Sequence, residues 1–103
     1  MELTRTIHPV GQGGFYTESL KDDNGKEFIV AYDCGGNNIQ FVEDYLKSFI
    51  HKSPNGDKIV INAVFVSHLH ADHINGLKYL LNNANVKYLF LPQINYDMLI
   101  EVL

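Results

Sequence analysis

A nearly unbroken apolar run, "KIVINAVFVS" at residues 58–67, constrains the fold more than any other feature of this sequence. Such a run suits a β-strand that is buried on both faces, as in the middle of an α/β sheet. Apolar residues recur at helical spacing on both sides of it, over residues 39–50 and 74–84, and Asn38 is a suitable N-cap for the first segment. The run therefore predicts a central strand between two helices.

The rest of the chain predicts further strands. Residues 3–10 alternate apolar and polar side chains, and "DDNG" at 22–25 is a strong turn signal between two more strands. The glycines of "GQGG" and the loop-like "DCGGNN" are expected to separate these elements from their neighbours. The expected strands occupy residues 3–10, 15–20, 26–33, 58–67 and 86–92, and a last helix begins near residue 96. This order predicts an α/β fold whose later strands pair in parallel through right-handed crossovers.

Composition sets broad limits on function. The chain has 103 residues, a common size for one domain, and 46% of them are hydrophobic, which is enough to build a core. Its formal net charge is −4 and its eight Lys and Arg residues are scattered, so this segment alone is not expected to bind nucleic acid non-specifically. The single cysteine, Cys34, excludes an internal disulfide and fits a reducing compartment. No apolar run approaches the roughly 18 residues that span a bilayer, so a cytoplasmic protein without membrane contact is expected.

Three of the five histidines follow the apolar run within "HLHADH", at His68, His70 and His73, together with Asp72. The carboxyl end of a buried strand is where open α/β sheets place their ligands. In an extended backbone His68, His70 and Asp72 point to one side, and His73 approaches from another angle as the helix begins. Imidazole and carboxylate groups are good ligands for Zn²⁺, and without a cation such a cluster would be disfavoured by desolvation and repulsion. The cluster therefore predicts a metal site.

This cluster resembles the H-x-H-x-D-H signature of the metallo-β-lactamase superfamily, which is specific when it follows an apolar strand and opens a helix. The segments "VGQGG" and "VAYDCGG" resemble the opening strands of the same fold, and "DHINGL" resembles the helix start after the signature. The resemblance covers essentially all 103 residues. It implies the N-terminal half of an αββα sandwich, with a mixed sheet and flanking helices.

The resemblance also implies a two-metal hydrolase in which a metal-bound hydroxide attacks the substrate. His68 and His70 would bind one metal, and Asp72 and His73 the other. Asp72 is also expected to be catalytic, because it would hold the second metal and help to position the hydroxide. The cofactors are expected to be two divalent ions, zinc first, with manganese or iron as alternatives. Asp33 would orient the metal site through hydrogen bonds to its ligand loop, although capping of the local turn is a simpler role for it.

The superfamily pattern requires a further histidine, a bridging aspartate and a last histidine, and no histidine follows His73. Residues 1–103 are therefore interpreted as the N-terminal part of a single truncated domain. We expect the hydrolase activity to belong to the longer parent protein and the chain alone to be inactive. Its expected partner is the missing C-terminal half, or a second copy of the chain through self-association.

The pairing of "VGQG" with "SHLHADH" most resembles the branch of bacterial DNA-uptake (competence) proteins, which implies a phosphodiester substrate. Gly14-Phe15 departs from that branch, which usually continues with an aspartate and a small residue. Hydrolysis of a small-molecule lactone, thioester or β-lactam therefore stays open, as does contact with nucleic acid. The rival hypothesis is a non-catalytic, metal-stabilised interaction module.

The remaining candidates have simpler explanations. Cys34 is expected to be a small buried residue rather than a ligand or nucleophile. Gln12 could touch substrate, although a glycine cluster between strands is usually a tight connection. The interleaved aromatic residues are expected to be core rather than a base-stacking surface; they are Tyr79, Tyr88, Phe90 and Tyr96.

Overall fold

The computed structural model describes residues 1–11, 13–50, 56–67 and 71–92. The strands in these ranges are β1 (Glu2–Ile7), β2 (Gly13–Lys21), β3 (Glu27–Gly36), β4 (Val60–Phe65) and β5 (Asn85–Phe90), and they form one sheet in that order. The helices are α1 (Ile39–Phe49), α2 (Ala71–Ile74) and α3 (Leu77–Asn83). None of these helices is both long and apolar enough to cross a membrane.

The sheet is mixed, as predicted. Strands β1, β2 and β3 pair antiparallel, whereas β3, β4 and β5 pair in parallel. The hairpin between β2 and β3 turns where "DDNG" predicts it, because the Asp22 carboxylate accepts hydrogen bonds from the backbone N–H groups of Asn24 and Lys26. Asn38 caps α1 as predicted, since its side chain accepts from the backbone N–H of Phe41 at 3.1 Å.

The core lies between the helices and one face of the sheet. Val42 and Leu46 of α1 and Leu80 of α3 are fully buried there. Strand β4 is buried on both faces at its centre, where Ile61 and Val64 have no exposed surface. The residues at the two ends of β4 are more exposed to solvent than the sequence predicts.

The opposite face of the sheet is apolar and largely exposed in the described part of the chain. The rings of Tyr32, Phe65 and Phe90 stack side by side across β3, β4 and β5, with centroids 5.3 and 4.7 Å apart. Phe90 is 49% exposed and Tyr88 67%, so the expectation that both belong to the core is wrong. The alternation of β5 turns these side chains to the face away from the helices. Tyr79 does pack against the core, and Tyr96 lies outside the described residues.

Two expected loops are strand in the structure. β2 begins at Gly13 and β3 continues to Gly36, and the two strands pair at Gly13–Gly36 and Gly14–Gly35. Side chains would not fit at this point: a Cβ on Gly36 would lie 2.3 Å from the carbonyl oxygen of Val10. The glycines therefore allow a close approach of backbone rather than ending the strands.

The helix expected over residues 74–84 begins later, as α3 at Leu77, and the separate short helix α2 ends at Ile74. The backbone N–H of Gly76 donates to the carbonyl oxygen of Cys34 at 2.8 Å instead of continuing the helical ladder from α2. This bond fixes the junction of the two helices against the end of β3. The helix expected near residue 96 lies outside the described residues.

Candidate metal centre

Asp33 connects the ends of two neighbouring parallel strands. Its Oδ1 accepts a hydrogen bond from the backbone N–H of Ser67 at 2.8 Å, and its Oδ2 accepts from the Ser67 hydroxyl at 2.7 Å. Ser67 follows β4 and immediately precedes the histidine cluster. The backbone of Asp33 has φ 59°, in the left-handed region that non-glycine residues rarely adopt and that aspartate tolerates better than most. The Asp33 carboxylate, on this unusual backbone conformation, thus binds the residue that precedes the cluster.

The same carboxylate holds His73 at the other end of the cluster. The Nδ1 atom of His73 lies 3.1 Å from Oδ2 of Asp33. A carboxylate only accepts hydrogen bonds, so Nδ1 carries the proton and the lone pair of the imidazole lies on Nε2. Both side chains are partly withdrawn from solvent, with relative exposures of 22% for His73 and 13% for Asp33. An imidazole oriented by an outer carboxylate is the usual arrangement at protein metal sites, and this pair fits it.

Glycines bring α2 against β2 and β3. A Cβ on Gly14 would lie 2.8 Å from Nδ1 of His73, and a Cβ on Gly35 would lie 2.6 Å from the backbone nitrogen of Ile74. The His73 imidazole therefore occupies space that any side chain at Gly14 would need. The sequence alone predicts these glycines to be connections. Their occurrence in pairs beside adjacent strands is the signal in the sequence that points to a close approach of backbone.

Asn75 is a second residue whose role the sequence did not reveal. Its Oδ1 accepts from the backbone N–H of Gly36 at 3.0 Å, and its Nδ2 donates to the carbonyl oxygen of Gly36 at 2.6 Å. The residue lies two positions after His73, in the junction that follows α2. Its neighbour Gly76 also donates a hydrogen bond to β3, so two consecutive residues attach the junction to this strand.

The other predicted ligands are only partly covered by the structure. His68 and His70 lie outside the described residues, and for Asp72 the description extends to its backbone in α2. Within residues 1–11, 13–50, 56–67 and 71–92, no three His, Cys, Asp or Glu side chains meet in a group that could hold a metal. The described geometry thus joins His73 to Asp33 and Ser67, and the complete ligand set stays a prediction.

Cys34 follows Asp33 in the sequence, but its side chain is buried in the hydrophobic core. The thiol is 1% exposed, and burial, helped by the negative charge of Asp33, raises the pKa of Cys34 to about 12. A thiol with so high a pKa stays protonated at neutral pH and is a poor nucleophile and ligand. The prediction of a small buried residue is confirmed.

His8 is buried away from the cluster. Its Nδ1 lies 2.7 Å from the hydroxyl of Tyr45 and its Nε2 lies 2.7 Å from the hydroxyl of Thr17, while its ring stacks on Phe15. Burial lowers the pKa of His8. It is therefore a hydrogen-bonded core histidine, as its place outside the signature suggests. Gln12 lies outside the described residues.

Comparisons with known proteins agree with this fold. The family model of the metallo-beta-lactamase superfamily matches residues 32–89, a segment that includes Asp33 and the whole histidine cluster. Ribonuclease J of Mycoplasma genitalium is 32% identical over 80 residues, and Ribonuclease J of Mycoplasma pneumoniae is 31% identical over 78 residues. Each alignment covers 71% of this chain, which spans only 13% of the length of either relative.

Among solved structures, a beta-lactamase domain protein from Burkholderia ambifaria has a similar fold. The TM-score is 0.50 with 22% sequence identity, and the match covers 92% of this chain and 29% of that protein. The mixed sheet with its helices corresponds to the N-terminal half of the αββα sandwich, as predicted. The family model matches more than half of the chain, which shows that this protein belongs to the metallo-beta-lactamase superfamily, whose fold is a hydrolase fold.

Proposed function

We propose that this chain carries the first half of the active site of a metal-dependent hydrolase that cleaves phosphodiester bonds. The observation that carries the proposal is the contact of one carboxylate, that of Asp33, with Ser67, the residue before the histidine cluster, and with His73, its last residue. An imidazole held in this way presents Nε2 in a fixed direction, which is what a metal ligand requires.

The donors of the cluster suit two divalent ions. His68 and His70 would hold one of them, and Asp72 and His73 the other. Imidazole and carboxylate ligands favour zinc, with manganese or iron as alternatives. When bound, such ions would lower the pKa of a water molecule towards neutrality and would thus supply a hydroxide nucleophile at neutral pH. Asp33 keeps the proton of His73 on Nδ1, which preserves the ligand atom and prevents rotation of the ring.

The phosphodiester substrate is supported by the relatives. Both are ribonucleases by name, and each aligns with 71% of this chain. The eight Lys and Arg residues of this chain are scattered along its sequence. We therefore assign the metal site to this segment and most of the nucleic-acid contacts to other parts of the complete protein. Small-molecule lactones, thioesters and β-lactams are the competing substrates.

We further propose that the apolar sheet face is covered in the working protein. Its exposed rings include Tyr32, Phe65 and Phe90. An apolar surface of this extent drives association. A further segment that supplies the second half of the sandwich, or a second copy of this chain, would cover it and complete the site.

Hydrolysis by the full-length protein tests the proposal. An RNA oligonucleotide, a lactone, a thioester and a β-lactam would each be offered with Zn²⁺ or Mn²⁺ to the wild type and to Asp72→Ala. We expect RNA turnover in the wild type, a large fall in kcat with little change of KM in Asp72→Ala, and wild-type rates in the surface control Asp44→Asn. Wild-type kcat in Asp72→Ala would contradict the role of the cluster. A protein that binds metal and hydrolyses none of the substrates would instead support the non-catalytic module.

A further inference from the structure

Asn75 fastens α2 to the sheet through a pair of hydrogen bonds. Its side-chain amide accepts from the N–H of Gly36 at 3.0 Å and donates to the carbonyl oxygen of the same residue at 2.6 Å. A side chain that pairs with both backbone groups of one residue imitates the edge of a neighbouring strand. These bonds span 39 positions of sequence and are partly buried, so they are shielded from competing water.

The packing around Asn75 leaves little freedom for α2. A Cβ on Gly35 would lie 2.6 Å from the nitrogen of Ile74 and 2.9 Å from Oδ1 of Asn75. On the far side of the junction, Gly76 donates to the carbonyl oxygen of Cys34 at 2.8 Å. Residues 34–36 of β3 therefore contact the junction between α2 and α3 directly. No side chain separates the backbone of the strand from the junction.

Helix α2 cannot hold its own position. It has four residues, Ala71–Ile74, which is about one helical turn, and isolated helices so short are not stable in water. His73 is separated from Asn75 by one residue. The 3.1 Å contact between His73 and Asp33 thus depends on how α2 is anchored to β3.

We propose that Asn75 is a positioning residue of the metal centre, which sets the place of α2 on β3 and thereby the direction of the His73 imidazole. The inference rests on the proposed function in so far as His73 is a ligand. It adds a residue that touches neither metal nor substrate and acts through the backbone of Gly36.

Two variants and one matched control test this role. Asn75→Ala removes both bonds, whereas Asn75→Asp keeps the volume and the acceptor but loses the donor to the carbonyl oxygen of Gly36. The control is Asn62→Ala, because Oδ1 of Asn62 accepts from the backbone N–H of Ile29 at 2.9 Å, near the other end of β3. It removes the same kind of bond from the same strand at a distance from His73.

Each protein would be measured without and with metal. Without metal, ¹⁵N NMR of the His73 ring and hydrogen exchange of the Gly36 amide report the geometry of α2. With metal, titration of Zn²⁺ against a chromophoric chelator reports affinity, and equilibrium unfolding reports stability. We expect both Asn75 variants to change the ring signals of His73 and to lose metal affinity by about tenfold or more. Asn62→Ala should lose stability but keep the ring signals and the affinity.

Several results would overturn the inference. One is an unchanged His73 ring signal in whichever Asn75 variant folds, and another is an equal loss of affinity in Asn62→Ala. A wild type that binds no Zn²⁺ would refute the proposed function instead, and the metal-free ring signals would still decide whether Asn75 positions His73.

Discussion

His73 donates its Nδ1 proton to Asp33 across 3.1 Å, although the two residues are 40 positions apart in the chain. The contact joins β3 to α2, the short helix that contains the last histidine of the cluster. Because Asp33 also accepts two hydrogen bonds from Ser67, one carboxylate contacts both the residue before the cluster and the last residue of the cluster. This relationship makes the orientation of His73 a property of the fold.

Asp33→Asn should keep the fold and weaken metal binding about 10- to 100-fold. Asparagine tolerates the left-handed backbone of Asp33, whose φ is 59°, so the substitution adds little strain. The new amide turns one acceptor into a donor that faces donors on Ser67 and His73. Isothermal titration with Zn²⁺ measures the loss, and the surface variant Asp44→Asn is the control. Wild-type affinity in folded Asp33→Asn would mean that the aspartate only caps its turn.

Gly14→Ala should displace the imidazole of His73 and lower metal affinity by about tenfold. The added Cβ would lie 2.8 Å from Nδ1 and 3.2 Å from Cε1 of His73. Gly25→Ala is the matched control: its Cβ would meet no atom within 4 Å, but its φ of +83° makes alanine costly. The control should therefore lose about 1 kcal/mol of stability and bind metal normally. Equal metal affinity in both variants would show that His73 tolerates the methyl group.

Much of this fold could be predicted from sequence because its causes are local. The apolar run at β4, the turn at residues 22–25 and the cap at Asn38 each depend on neighbouring residues. The division between α2 and α3 could not be predicted, since it depends on a bond from Gly76 to Cys34 in a distant strand.

The ligand chemistry of the site could be predicted from the sequence, whereas the contacts of Asn75 and Gly14 that hold it in place could not. The spacing of the histidines points to a metal, and the resemblance to the superfamily points to Asp33 as a supporting residue. Asn75 contributes through the backbone of Gly36 and Gly14 through the side chain of His73, and in both cases the partner is distant in sequence. The exposed position of Tyr88 and Phe90 depends on which face of β5 the helices cover, and residue type does not reveal it.

The buried His8 should make the protein less stable in acid. Burial lowers its pKa below the ordinary value of 6.5, so the unfolded chain binds a proton that the folded chain does not. Its stabilising contribution is present above pH 6.5 and is lost as the pH falls from there through the lowered pKa of the folded state. Denaturant unfolding at a series of pH values should give a shallower acid loss for His8→Gln than for the wild type. Parallel pH profiles would contradict this account of His8.

The apolar sheet face should make the chain self-associate when nothing else covers it. Phe90→Lys should weaken the association, because the Phe90 ring stacks on Phe65 and the substitution would put a charge on that apolar face. Phe41→Lys on α1 is a matched control, since Phe41 is 50% exposed and Phe90 49%. Light scattering over a range of concentrations measures the mass. A wild-type chain that stays monomeric throughout, or equal effects of the two lysines, would contradict the proposed role of this face.

The most direct measurement is the metal content of the purified chain by elemental analysis, before and after the double substitution His68→Ala and His70→Ala. Removal of two imidazole ligands should release one metal ion per chain, or weaken its binding by orders of magnitude, because the remaining ligands cannot fill its shell. We expect zinc, manganese or iron bound to the wild type and lost from the variant. Equal metal content in the two proteins would contradict it.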